Sequence, residues 1–253
     1  MYNDIQRASL LKRLSAWLLD AILLACLATG CMAGLSAIFG FDRYNNQLDE
    51  AYAHYAQEYD VDFGISNEEY ANLTQQELAR YDAAFEAMNQ DEAMVKAYSM
   101  MVNLSMVISS LGILLAFLVL ELAIPLWLRN GQTVGKKVFG IALMRNDGVR
   151  VTPFMMFART ILGKYTIETM IPVFMILMLL FQILGLTATL VLMAIILLQI
   201  GLLFFTRNHT AIHDLLACTV AVDMASQYMF DSPEDRLQYQ MRMKAEEAAK
   251  ADY

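Results

Sequence analysis

Lys12-Arg13-Leu14-Ser15-Ala16-Trp17-Leu18-Leu19-Asp20 opens an apolar run that continues to Phe39. An arginine stands at its entrance and an aspartate seven residues further in. A helix of about 20 apolar residues crosses the hydrocarbon core of a bilayer. A carboxylate on such a helix faces protein or water, because burial in lipid costs several kcal/mol. What Asp20 faces therefore constrains the packing of the remaining helices.

The whole chain agrees with a membrane reading. Its 253 residues are 58% hydrophobic, with a mean hydropathy of +0.42. The apolar residues are gathered in long runs, which excludes an ordinary soluble domain. The net charge of −8 is local: residues 42–98 hold 13 acidic and 3 basic side chains. The acidity belongs to one loop and implies no basic partner and no nucleic-acid binding. Cys26, Cys31 and Cys218 show neither metal spacing nor a disulfide framework and read as small buried thiols. The first run is too long for a signal-peptide core and carries Asp20, so it reads as a retained span.

Four spans follow, at about 14–39, 102–128, 167–184 and 186–205. The last two form a tight pair around Gln182-Ile183-Leu184-Gly185. Lys and Arg gather before span one (Arg7, Lys12, Arg13), between spans two and three (Arg129, Lys136, Lys137, Arg145, Arg150, Arg159, Lys164) and after span four (Arg207). The positive-inside tendency then places both termini in the cytoplasm of a cell-membrane protein, with residues 42–98 outside. The fold class is all-α membrane, with four transmembrane helices, an extracytoplasmic helical insertion and a small cytoplasmic layer of β-hairpin and interfacial helix. The expected organisation is a transmembrane domain over 7–223, the insertion 42–98 within it, and a charged tail over 224–253.

In the insertion, Ser66-Asn67-Glu68-Glu69 and Thr74-Gln75-Gln76-Glu77 both match the capping box. A cap helix is expected to run from Asp91 directly into span two. Asp60-Val61-Asp62-Phe63-Gly64 hints at a calcium loop, but its ligand spacing fails. On the other side, Gly131-Gln132-Thr133-Val134-Gly135-Lys136 lacks the glycine spacing and the hydroxyl residue of a phosphate loop, so nucleotide binding is rejected. Ile141–Met144 and Val149–Thr152 flank Asn146-Asp147-Gly148 as a predicted hairpin. Thr219–Val222 is a third β-capable run, able to join it. Pro153–Lys164 reads as an interfacial helix. Thr210 is a plausible cap for a short helix carrying His213 and Asp214.

These features together resemble the RDD family, which is named for one arginine and two aspartates. Arg13 and Asp20 match the arginine and the first aspartate in the first membrane helix. Gly131-x-Thr133-x-Gly135-Lys136 with Gly140 is similar to the family's glycine–lysine segment, and Arg159 to the arginine that follows it. His213-Asp214 before Cys218-Thr219-Val220 resembles the closing motif, with Asp214 as the second aspartate. The resemblance spans Arg7–Phe39 and Val102–Asp223 and implies a transport role, including sodium–proton exchange as in some members.

The acidic residues fall at one depth. Asp20 is about 9 Å into span one and Glu121 about 10 Å into span two, at roughly 1.5 Å per residue. Glu168 stands at the entrance of span three, and Asp214 follows span four. Proline has no N–H, so Pro125 frees the carbonyl of Glu121, and Pro172 frees that of Glu168 if the helix already includes it. A carboxylate beside a freed carbonyl suits Na⁺ or a proton relay, and broken helices of this kind host ion sites. Alternatively the charges form a structural ion-pair network, with Arg13, Arg129 or Arg159 as the partner of Asp20. The expected function is small-cation/proton exchange at Asp20, Glu121 and Asp214. Arg13, Arg159, Glu168, His213 and Pro125 would support or tune that site. The alternative is a membrane scaffold or regulatory subunit. No catalytic constellation, metal centre or cofactor fingerprint is present, so no enzyme is expected. Four spans are few for transport, which implies a homo-oligomer.

Overall fold

The computed structural model describes residues 5–128, 130–183, 185–205 and 211–251. Four helices are long and apolar enough to cross a membrane: α1 (Leu10–Phe39), α5 (Glu92–Leu128), α7 (Pro153–Leu180) and α8 (Gly185–Phe205). Their outward side chains, such as Leu14, Trp17, Leu186 and Leu190, are exposed from the protein, as a lipid-facing surface requires. Cys26 and Cys218 are exposed and Cys31 partly so. That corrects the expectation of buried thiols: Cys26 and Cys31 lie on a lipid-facing helix, where an apolar residue need not point inward, and Cys218 lies in the turn between Leu216 and Thr219.

The chain forms two compact units, Met32–Leu111 and a second assembled from Met1–Cys31 with Gly112–Tyr253. The first is wider than the 42–98 insertion because it takes in the ends of α1 and α5. It contains α2 (Phe41–Tyr59), α3 (Asn67–Ala71) and α4 (Gln75–Gln90). Both predicted capping boxes form: Ser66 with Glu69 and Thr74 with Glu77 exchange bonds with each other's backbone. Leu48, Met88, Met94 and Ala97 make its core, with Tyr44, Tyr55 and Phe63 packed against them. The Asp60–Gly64 turn is closed within the protein. Tyr81 donates its hydroxyl to the Asp62 carbonyl, and the Gly64 N–H donates to Asp62 Oδ1 at 2.8 Å. Asp91 Oδ1 accepts from the N–H groups of Ala93 (2.9 Å) and Met94 (3.3 Å), so the cap helix does run unbroken into the second span.

The second unit is built on a two-stranded antiparallel sheet, β1 (Ile141–Arg145) with β2 (Thr219–Asp223), in register from Ile141↔Asp223 to Arg145↔Thr219. Strand alternation sends Ile141 and Leu143 toward Ala16 and Met156. It sends Ala142 and Met144 toward Ile5 and Met229. The Asn146-Asp147-Gly148 turn forms, with Gly148 at φ +86° and the Gly148 N–H donating to Arg145 O at 3.0 Å. Val149–Thr152 adds only isolated bridges, Met144↔Arg150 and Val149↔Phe230. The ladder partner of β1 is thus the distant third run. The remaining elements of this unit are α6 (Val134–Val138), α9 (Ile212–Leu216) and α10 (Pro233–Ala251).

The expected interfacial helix and third span are one continuous helix, α7. Its N-terminus is set by Thr152, whose Oγ1 accepts from the Met155 N–H at 3.3 Å, followed by Pro153 at the first position. The stretch Ala158–Met170 is π-helical, as is Leu118–Ala123 in α5 just ahead of Pro125. A proline that cannot donate favours such local unwinding, and π-turns gather at functional sites. Arg129, Leu184, Arg207 and Thr210, which carried several expectations, lie outside the described residues.

Candidate functional site

The second unit holds a layer of buried charge where the N-terminal part of α1, the end of α5, α6, α7 and α9 converge. Asp20 is buried, and its partners are not arginines. Oδ2 accepts the Thr133 hydroxyl, and Oδ1 accepts the Gly135 N–H at 2.7 Å. For Arg13 and Arg159 the expectation of an arginine partner is corrected: both go to Asp214, and the Gly135 amide and Thr133 hydroxyl hold Asp20, while Arg129 lies outside the described residues. Gly135 is required for this approach. A Cβ there would collide with the Ala16 carbonyl and sit 2.9 Å from Asp20 Oδ1. The segment that superficially resembles a phosphate loop is therefore a clasp around a carboxylate. The Thr133 oxygen also lies 3.3 Å from Lys136 Nζ, so Lys136 stands one hydroxyl away from Asp20.

Glu121 is buried and bonded to Lys164 Nζ at 2.5 Å. Its backbone carbonyl, which Pro125 cannot supply with a hydrogen bond, accepts from the Thr160 hydroxyl at 2.9 Å. Pro125 itself is buried. Asp214 is held by Arg159 Nε at 2.9 Å and Thr219 Oγ1 at 3.0 Å, with Arg13 Nη2 at 3.9 Å. Burial would raise the carboxyl pKa of Asp214, but Arg159, then His213 and Arg13, hold it well below the usual carboxylate range. Glu168 Oε1 accepts the His213 N–H at 2.9 Å, and its Oε2 lies 2.7 Å from His213 Nδ1. His213 Nε2 is 3.6 Å from Asp214 Oδ2. Burial pushes the His213 pKa below 6.5, with Asp214 and Glu168 opposing and Arg159 assisting. Gly163 allows α7 and α9 to meet, since a Cβ there would lie 2.6 Å from His213 Cα.

Sequence reasoning brought together Asp20, Glu121, Asp214, Arg13, Arg159, Glu168 and His213, and the structure gathers all seven in one unit. It joins them in three groups: Asp20 with α6, Glu121 with Lys164, and Asp214 with Arg13, Arg159 and the His213–Glu168 pair. Lys136, Lys164, Thr133, Gly135 and Thr160 had no assigned role. Lys164 stands five residues after Arg159, a spacing that faces one side only in the wider π-turn. Lys136 is the most perturbed base. Burial first, then Lys164 and Arg159, lower it to about 7, against Glu121 and Asp20, which raise it.

A cavity of about 720 Å³ opens beside this layer, with Asp20, Lys136, Arg159, Lys164 and Asp214 among its lining residues. Among the described residues no group of three or more His, Cys, Asp and Glu side chains is placed to hold a metal ion. The arrangement can store and move charge: it pairs acids with bases inside an apolar bundle and borders an open space.

No curated protein and no solved structure matches the chain. The family model of the RDD family, a family of membrane proteins, matches residues 7–218, and the chain, with its apolar spanning helices, belongs to that family.

Proposed function

We propose that this membrane protein is a transporter that exchanges a small monovalent cation for a proton, without a catalytic centre. The supporting observation is the charge balance of the buried layer. Arg13, Lys136, Arg159 and Lys164 face Asp20, Glu121, Asp214 and Glu168, and Lys136 is held at about 7. When Lys136 is charged, the layer is neutral. When it releases its proton, one negative charge is uncompensated, and a Na⁺-sized cation entering from the cavity beside Asp20 restores neutrality. One proton leaves as one cation arrives. Asp20 and Glu121 set the field that both occupants share, and Asp214 with His213 relays the proton from the water-facing side. The Lys and Arg distribution supports placing the termini and this layer toward the cytoplasm of a cell membrane, with residues 42–98 outside. Four spans are few for alternating access, which favours a homo-oligomer in the bilayer.

The test is cation-dependent proton exchange by proteoliposomes holding wild type, Asp20→Asn or Glu121→Gln. Both substitutions should reduce exchange at least tenfold; unchanged exchange in both variants refutes the assignment. A second reading has its own observation: every buried acid already has a protein partner, as a purely structural network requires. In that scaffold reading, thermal stability is the same in Na⁺ as in a large organic cation. A Na⁺-specific rise in Tm favours exchange.

A further inference from the structure

We infer that the 720 Å³ cavity is a binding site for an anionic membrane lipid, with its oxyanion head against Arg159 and Lys136 and its chain along the wall between α1 and α8. Among the described lining residues the bases are Arg13, Lys136, Arg159 and Lys164 and the acids Asp20 and Asp214; with Lys164 paired to Glu121, three bases stand against two acids. Glu121 and Glu168, which balance the layer as a whole, do not line the cavity, so its interior is net cationic. Arg159 is the decisive group. Its side chain is 2% exposed, one nitrogen binds Asp214, and Nη1 is buried with no hydrogen-bond partner. A buried unpaired guanidinium nitrogen costs on the order of 1–3 kcal/mol, more where charge is involved, and an oxyanion would satisfy it with a charge-assisted bond.

The walls identify the source of that anion. Leu14 and Trp17 on α1 and Ile200 and Phe204 on α8 line the cavity and are exposed from the protein. Both helices are of membrane-crossing type, so the mouth between them opens to hydrocarbon. A lipid enters sideways through such a mouth and leaves its chain on the apolar wall. The volume fits a headgroup with the first part of a chain and is within the range of small-molecule sites. The site shares Lys136 with the proposed exchange layer, and lipid retention is read separately from ion exchange.

The experiment uses the full chain in nanodiscs of phosphatidylcholine containing a minor fraction of phosphatidylglycerol, with retained lipid read by native mass spectrometry. Wild type should retain phosphatidylglycerol about tenfold over phosphatidylcholine, the worth of one charge-assisted hydrogen bond. Arg159→Gln should lose that preference, and Arg159→Lys should restore part of it. Ile200→Trp fills the mouth at an exposed position and should lose the retained lipid with an unchanged melting temperature in detergent. It therefore decides the matter even if Arg159→Gln does not fold. Equal retention of the two lipids overturns the inference. Inorganic phosphate raising Tm as much as phosphatidylglycerol would show a soluble-anion site instead. Cross-linking of position 200 to a second copy, with no lipid retained, would give the mouth to an oligomer contact.

Discussion

Replacing Gly135 with alanine tests the Asp20 clasp. The added Cβ would collide with the backbone carbonyl of Ala16 and lie 2.9 Å from both Cγ and Oδ1 of Asp20. A backbone carbonyl in the middle of a helix cannot turn aside, so α6 must withdraw from α1. Withdrawal breaks the Gly135 N–H and Thr133 hydroxyl bonds to Asp20. Hydrogen bonds to a charged group are worth about 1.5–3 kcal/mol each, so losing both costs about 3–6 kcal/mol. For a domain of this size that is a fall in Tm on the order of 10 °C. Gly30→Ala is the control. Gly30 lies on α1, the helix of Asp20, with nothing within 4 Å of its Cβ, and alanine is favoured over glycine in a helix interior by about 0.5–1 kcal/mol. Its Tm should equal or exceed wild type. The assay is thermal unfolding of purified protein in detergent, followed by far-UV circular dichroism. A Gly135→Ala protein melting within about 2 °C of wild type (under 1 kcal/mol for a domain this large) would refute the close approach, as would an equal loss in Gly30→Ala.

Other outcomes follow from the same contacts. Lys164→Met leaves Glu121 as an uncompensated buried charge and should cost about 3–5 kcal/mol, while the Lys164→Met/Glu121→Gln double variant recovers most of it in a double-mutant cycle. Thr160→Val should cost about 1 kcal/mol by denaturant or thermal melting. His213 is held below 6.5 in the folded protein, so the unfolded chain takes up the proton first. Stability is therefore full above pH 6.5 and declines as pH falls below it toward the folded value, and His213→Gln should flatten that part of a Tm-against-pH curve. Asp214 is depressed relative to 3.8, so its contribution is present above that pH and disappears on further acidification. Asp214→Asn should lower Tm at neutral pH and remove the acid-limb slope.

Much of this was legible in the chain. Long apolar runs gave the spans, and local exchange of side-chain and backbone bonds made Ser66-x-x-Glu69 and Thr74-x-x-Glu77 readable as helix starts. Helix rise singled out Asp20 and Glu121 within the first two spans, and both are buried in one unit; the missing N–H of Pro125 pointed to the Glu121 carbonyl, which accepts from Thr160. What was not legible were the partners. Thr133 and Gly135 are more than a hundred residues from Asp20, and nothing local marks Lys164 rather than an arginine for Glu121. The break read at Lys164-Tyr165-Thr166 was a polar gap in an apolar pattern. In the fold those residues lie in a continuous π-helical stretch, and its polarity serves the charged layer. The strand partner of β1 lay similarly far off, and a tight Asp-Gly turn favoured the nearer run.

The most direct test of proton–cation exchange through this layer is the pH dependence of pH-gradient-driven cation uptake by proteoliposomes, comparing wild type with Lys136→Met. Wild type should show an inflection near the Lys136 value of about 7, and Lys136→Met should lose both the inflection and the coupling to the proton gradient. The same inflection and the same coupled uptake in Lys136→Met would contradict the mechanism.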